Sequence, residues 1–215
     1  MSVPQWNAQL SDGQERALSR LTDLGERSFI VLLFIGLVIR IAEAFVQRPP
    51  DIAVVVLEIP AVVFMVVRRG AADVSKRPYD WLIGLLGTAG PMLVAPGGLP
   101  IAHPYISVVL VFAGLTIAST SKVTLNRSFG VVAANRGVVR SGAYRFVRHP
   151  IYAGYVMIYV GFFLINPTGW NLAVYLSCFV LLLLRIGAEE RVLKLDPVYA
   201  EFMTRTRYRL APGLY

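Results

Sequence analysis

The sequence predicts an all-α fold: a polytopic transmembrane helical bundle of about six spans, N and C termini cytoplasmic, with a cytoplasmic C-terminal helix. Three observations predict it. The chain is 56% hydrophobic with a mean hydropathy of +0.60, far above a soluble domain. Six apolar segments recur, at roughly 28–46, 52–67, 80–95, 104–120, 151–166 and 170–186. The stretches between them alternate between rich and poor in lysine and arginine: three in 1–27, one in 47–51, four in 68–79, none in 96–103, six in 121–150, none in 167–169 and six in 185–215. By the positive-inside rule, the rich stretches face the cytoplasm. Five spans is the alternative, and it breaks that alternation.

Residues 1–27 form an N-terminal interfacial segment. They carry Asp12, Glu15, Asp23 and Glu26 ahead of the first apolar run, which is not a signal-peptide pattern. Leu10, Ala17, Leu18, Leu21 and Leu24 recur at roughly helical spacing and predict a short amphipathic helix over 10–26 on the membrane surface, with a solvated tail as the alternative. Residues 28–120 hold the first four spans. Arg40 and Glu43 share one face of the first span and read as a structural pair, whereas Glu58 in the second is a minor site candidate. Pro60, Pro91 and Pro104 kink or start helices. Gly84, Gly87 and Gly90 follow no strand, so close helix packing explains them better than nucleotide binding. His103, before Pro104, has no assigned role.

Residues 121–215 form the C-terminal core. Lys122, Asn126, Arg127 and Ser128 open its long loop and are placed to line a site from above. Asn166-Pro167-Thr168-Gly169 is a tight turn, so the last two spans form an antiparallel hairpin. The hairpin brings Arg148, His149 and Tyr152 beside Arg185, Glu189 and Glu190. Beyond it, Val192, Leu195, Tyr199 and Phe202 mark an amphipathic helix interrupted or restarted at Asp196-Pro197. The tail Tyr208–Tyr215 lies at the interface.

The net charge of +8 fits a cytoplasmic membrane face and not nucleic-acid binding. A lone cysteine, Cys178, and two histidines exclude a disulfide framework and disfavour a zinc site. There is no P-loop, no Gly-x-Ser-x-Gly and no HExxH.

Two polar clusters carry the chemistry. Tyr144, Arg145, Arg148, His149 and Tyr152 place cations, donors and aromatic faces within nine residues, suited to a ligand bearing a carboxylate and a cation or aromatic base. Glu189-Glu190 lies at a helix C-terminus, where carboxylates are disfavoured and need a positive partner. Arg185 one turn earlier, Arg148 across the hairpin, or a bound ammonium or sulfonium can supply it.

Gly142-Ala143-Tyr144, Arg148-His149-Pro150-Ile151-Tyr152-Ala153-Gly154, Asn166-Pro167 and Arg185-Ile186-x-x-Glu189-Glu190-x-x-Leu193 resemble the isoprenylcysteine carboxyl methyltransferase and phospholipid methyltransferase-like integral membrane enzymes, over roughly 120–215. The resemblance implies S-adenosyl-L-methionine as cofactor and a lipophilic methyl acceptor entering from the bilayer. It implies cofactor contacts from Tyr144, His149, Tyr152 and Glu189, with Glu190 assisting. Arg148 and Arg185 would orient the acceptor or the cofactor carboxylate, which with Glu189 makes the catalytic set. The family's Phe-Gly after the Glu-Glu helix is replaced by Leu195-Asp196-Pro197. A carboxylate acceptor needs an aligning arginine and no base; an amine or thiol would need Glu189, Glu190 or His149 as base. Membrane lipids are the expected partners, and the oligomeric state is not specified. Two rival readings remain. Membrane sterol reductases share Arg-His-Pro-x-Tyr-x-Gly and the 208–215 tail pattern and use NADPH, but their Arg-Asp-Glu pattern is absent. A small transporter or assembly subunit would use Arg40, Glu43 and Glu58.

Overall fold

The structure, a computed structural model, describes residues 12–45, 63, 66–67, 71, 73–95 and 97–213. The expected span at 52–67, with Glu58 and Pro60, lies almost wholly outside the described residues, as do the side chains of Arg40 and Glu43 and the end of the C-terminal tail.

Among the described residues the fold is helical: α1 (Asp12–Phe45), α2 (Pro78–Ala89), α3 (Pro104–Leu125), α4 (Pro150–Ile165), α5 (Gly169–Leu193) and α6 (Pro197–Arg205). α3 and α5 are long and apolar enough to cross a membrane, and α4 is a shorter apolar helix. α1 differs from expectation. The interfacial helix and the first span are one unbroken helix of 34 residues. No proline interrupts it, and its two interior glycines, Gly25 and Gly36, weaken a helix without ending it.

Four helices begin on proline, at Pro78, Pro104, Pro150 and Pro197, where the missing N–H costs nothing and the fixed φ is already helical. Caps reinforce three starts. Asn171 N–H donates to Thr168 Oγ1 at 3.1 Å and Val198 N–H to Asp196 Oδ1 at 2.8 Å. His103 caps α3 by accepting from Tyr105 N–H at 3.5 Å and stacks on the Tyr105 ring.

α3 and α4 touch through glycine. A methyl group at Gly154 would lie 2.5 Å from the Gly114 carbonyl oxygen and 2.9 Å from the Ala118 nitrogen. Gly84, Gly87 and Gly90 of the α2 region also mark close approach: a Cβ there would meet Val131 O at 3.0 Å, Arg185 Cδ at 3.2 Å and Cys178 Sγ at 2.8 Å.

The 166–169 turn joins α4 to α5 as expected, and its far end is stapled by Asn171. That buried side chain donates to Ala95 O and Asn166 O, both at 2.8 Å, and accepts from Ala95 N–H at 3.1 Å. At the opposite end a two-residue ribbon, β1 (Asp73–Val74) against β2 (Ala134–Asn135), pairs Asp73 with Asn135 and Val74 with Ala134. It ties the 73–77 loop to the 126–149 loop. The core beneath it joins Ile30, Phe129, Val131, Ile151, Leu182 and Ile186.

Candidate active site

The two ends of the α4–α5 hairpin converge on a buried charge cluster. Arg148 ends the loop before α4, and its Nε donates to Glu190 Oε1 at 2.8 Å. Its Nη1 donates to the Thr206 and Arg207 carbonyls at 2.8 and 2.7 Å. Arg209 closes the other side of Glu190, with Nη2 2.8 Å from Oε2. Backbone bonds carry the tail along the same edge: Arg148 N–H donates to Tyr208 O at 2.9 Å and His149 N–H to Arg209 O at 2.8 Å. Glu190 is 1% exposed and fully engaged.

His149 lies between the two carboxylates. Its Nε2 is 3.3 Å from Glu190 Oε1 and its Nδ1 3.6 Å from Glu189 Oε2. Burial works against its charge, and a carboxylate at each ring nitrogen outweighs that, holding the imidazole pKa above its ordinary value. Glu189 also accepts from the Tyr152 hydroxyl, whose ring stacks on His149. The Arg185 guanidinium also sits over the Tyr152 ring, 5.2 Å from its centroid. Arg185 donates to Thr88 Oγ1 at 3.1 Å and to the Val131 carbonyl at 3.0 Å.

Tyr144 is placed by the 3₁₀ turn Gly142–Arg145. Gly142 has φ +59, a left-handed conformation that a side chain would strain. Tyr144 packs on Tyr199 and Phe202 of α6. Burial and then the Glu189 carboxylate push its phenol well up, so it is a neutral hydroxyl.

These groups surround one end of a cavity of about 560 Å³. Tyr144, Arg148, His149, Tyr152, Arg185 and Glu189 line the polar end. Leu33, Phe34 and Leu37 of α1, with Met92, Ile158 and Phe162, line an apolar arm that runs along α4 towards Asn166. From Tyr152 to Asn166 that is about 20 Å of helical rise. Among the cavity-lining residues, Arg185 Nε and the Tyr199 hydroxyl are buried polar atoms with no hydrogen-bond partner among the described residues.

The hairpin therefore gathers all seven expected site residues, with a division between the two glutamates. Glu189 faces the cavity; Glu190 does not line it and instead holds Arg148, His149 and Arg209. Of the four loop residues expected above the site, Ser128 lines the cavity. Lys122 is instead buried under the Tyr155 ring at 5.3 Å, and Arg127 Nε donates to Val67 O at 2.7 Å. Sequence reading missed Tyr199 as a wall residue, because its helical spacing marks only a buried face. It also missed Arg209 and the 206–209 carbonyls, because no local pattern in the tail points back to Arg148.

Residues 103–195 match the family model described as the Isoprenylcysteine carboxyl methyltransferase (ICMT) family. The match starts at the cap of α3 and ends just before Asp196, so α1, α2, α6 and the tail lie outside it. No curated protein matches the chain.

Proposed function

We propose, from that isoprenylcysteine carboxyl methyltransferase-like segment and the cavity it frames, that the protein is an integral membrane methyltransferase using S-adenosyl-L-methionine on a lipophilic carboxylate. It is multi-pass, with about six spans, both termini cytoplasmic and the site at the cytoplasmic face, in keeping with the lysine and arginine distribution. Exposed Val109, Phe112, Leu172, Leu176 and Val180 on the outer faces of α3 and α5 suit a bilayer. The observation that carries the reading is one cavity lined both by charged groups and by a run of apolar side chains.

The donor set suits the cofactor. Glu189 turns a carboxylate into the cavity, matched to an ammonium or sulfonium. Tyr144 and the unpartnered Tyr199 hydroxyl offer buried hydrogen-bonding groups at the same end. We assign cofactor contacts to Tyr144, His149, Tyr152 and Glu189, with Glu190 acting through His149 and Arg148. S-adenosyl-L-methionine supplies an electrophilic methyl group on a positive sulfur.

The chain's own residues then have to align the acceptor and exclude water. Arg185 is held by Thr88, Val131 and the Tyr152 ring and has Nε unpartnered among the described residues, which leaves a donor for an acceptor carboxylate. Arg148 stiffens the wall beside it. Alignment of this kind contributes as much as about 7–11 kcal/mol in well-oriented systems. His149, bracketed by two carboxylates, holds its proton more tightly than a free imidazole and serves less well as a base, in keeping with a carboxylate acceptor that needs none. The apolar arm takes the lipid tail.

The test offers methyl-labelled S-adenosyl-L-methionine to the purified protein with either an isoprenylated cysteine bearing a free carboxylate or phosphatidylethanolamine vesicles. Base-labile label on the first is expected. Label on the amine lipid alone would overturn the carboxylate assignment, and label on neither would overturn the methyltransferase.

A further inference from the structure

We propose that Glu26 of α1, outside the family-matched segment, is a positioning residue that holds Arg185 in its working orientation through one peptide unit of the 126–137 loop; the proposal rests on the role given to Arg185 above. Glu26 is 2% exposed. Its Oε1 accepts from Val131 N–H at 2.5 Å and Val132 N–H at 2.9 Å. Its Oε2 lies 3.4 Å from Arg136 Nη2. A buried carboxylate persists only when its oxygens are satisfied, and backbone N–H groups bonded to a carboxylate are among the stronger hydrogen bonds.

The geometry points from there to Arg185. The Val132 N–H and the Val131 C=O are the two ends of one planar peptide unit and point in opposite directions. Glu26 takes the N–H end; Arg185 Nη2 donates to the C=O end at 3.0 Å. The plate between them cannot bend, so fixing one end aims the other. Gly84 leaves room for it, since a Cβ there would press on Val131 O at 3.0 Å. The loop also walls the cavity through Phe129, Gly130, Val131 and Val132. Without Glu26 the plate can rotate, and Arg185 keeps only Thr88 Oγ1 and the Tyr152 face.

A role confined to fold stability would lower the melting temperature and leave the fate of Arg185 untouched, so the test couples the two residues. Methyl transfer and amide hydrogen exchange are measured for the full-length wild type, E26Q, E26A, R185A and E26A/R185A in detergent. The E26Q amide oxygen still accepts from both N–H groups, so activity is expected to stay near wild type, while loss of the charge opposite Arg136 lowers the melting midpoint. E26A is expected to lose about tenfold in kcat/KM, and the double variant to be no worse than R185A by more than about twofold, because the two act on one group. Multiplying losses would overturn the proposal. Faster exchange at Val131 and Val132 in E26A, restored in E26Q, is the expected readout independent of activity; unchanged exchange would also overturn it. Should the wild type transfer no methyl group, the methyltransferase reading falls separately. Exchange then decides the clamp: faster at Val132 in both E26A and R185A supports it, and in neither overturns it.

Discussion

Replacing Glu190 by glutamine separates the two adjacent glutamates. Glu190 is buried and faces Arg148 at 2.8 Å, Arg209 at 2.8 Å and His149 at 3.3 Å. Glutamine keeps an oxygen but removes the charge that holds three cationic groups together. Removing one partner of a buried ion pair costs about 3–5 kcal/mol. Arg209 is a third exposed and can turn to water, so the lower end, about 3 kcal/mol, is the appropriate figure. At about 2–4 °C per kcal/mol for a chain of this size, the apparent melting midpoint falls by about 6–12 °C. Glu189→Gln is the control: its carboxylate is 21% exposed and faces the cavity, so its midpoint moves by less than about 4 °C. The assay is tryptophan fluorescence in detergent at one fixed scan rate, which keeps variants comparable even if unfolding is irreversible. A larger shift for Glu189→Gln than for Glu190→Gln would refute the division of roles.

Three further outcomes follow from the same geometry. His149 has a folded pKa above its ordinary value, so its imidazolium stabilises the fold fully below about pH 6.5 and that contribution is lost as pH rises through the higher folded pKa. The melting midpoint should therefore decline above pH 6.5 and flatten in His149→Gln; an equal slope in both would contradict the assignment. Gly154→Ala gains about 1 kcal/mol of helix propensity but drives a methyl to 2.5 Å from a backbone oxygen that cannot rotate away. Overpacking, at about 1–3 kcal/mol, should win and lower the midpoint, read by the same thermal scan. Tyr199→Phe removes a hydroxyl that has no partner among the described residues, so it should leave stability within about 0.5 kcal/mol while weakening cofactor binding in calorimetry.

How much of this was legible in the sequence depends on the range of the contact. The hairpin was legible because Asn166-Pro167-Thr168-Gly169 is local turn chemistry, and one turn is enough to place Arg148 and His149 beside Glu189 and Glu190. Proline starts and the Asp196 cap are likewise local. The continuity of α1 was not legible, because a polar stretch followed by an apolar one reads as two elements although no residue stops the helix. The β1–β2 ribbon is two residues long and leaves no period-two pattern to detect. Glu26 reads as one acid among several in a polar segment; Val131, Val132 and Arg136 lie more than a hundred residues away, and the first two meet it through backbone amides, which carry no side-chain signature. The tail carbonyls that receive Arg148 were illegible for the same reason.

The most direct test of the central claim is calorimetric titration of the purified, folded protein in detergent with S-adenosyl-L-methionine, its demethylated product and NADPH. The account predicts binding of the first two, with affinity lowered at least about tenfold by Glu189→Ala through loss of one charge-assisted contact, and no binding of NADPH. Binding of NADPH alone would contradict it.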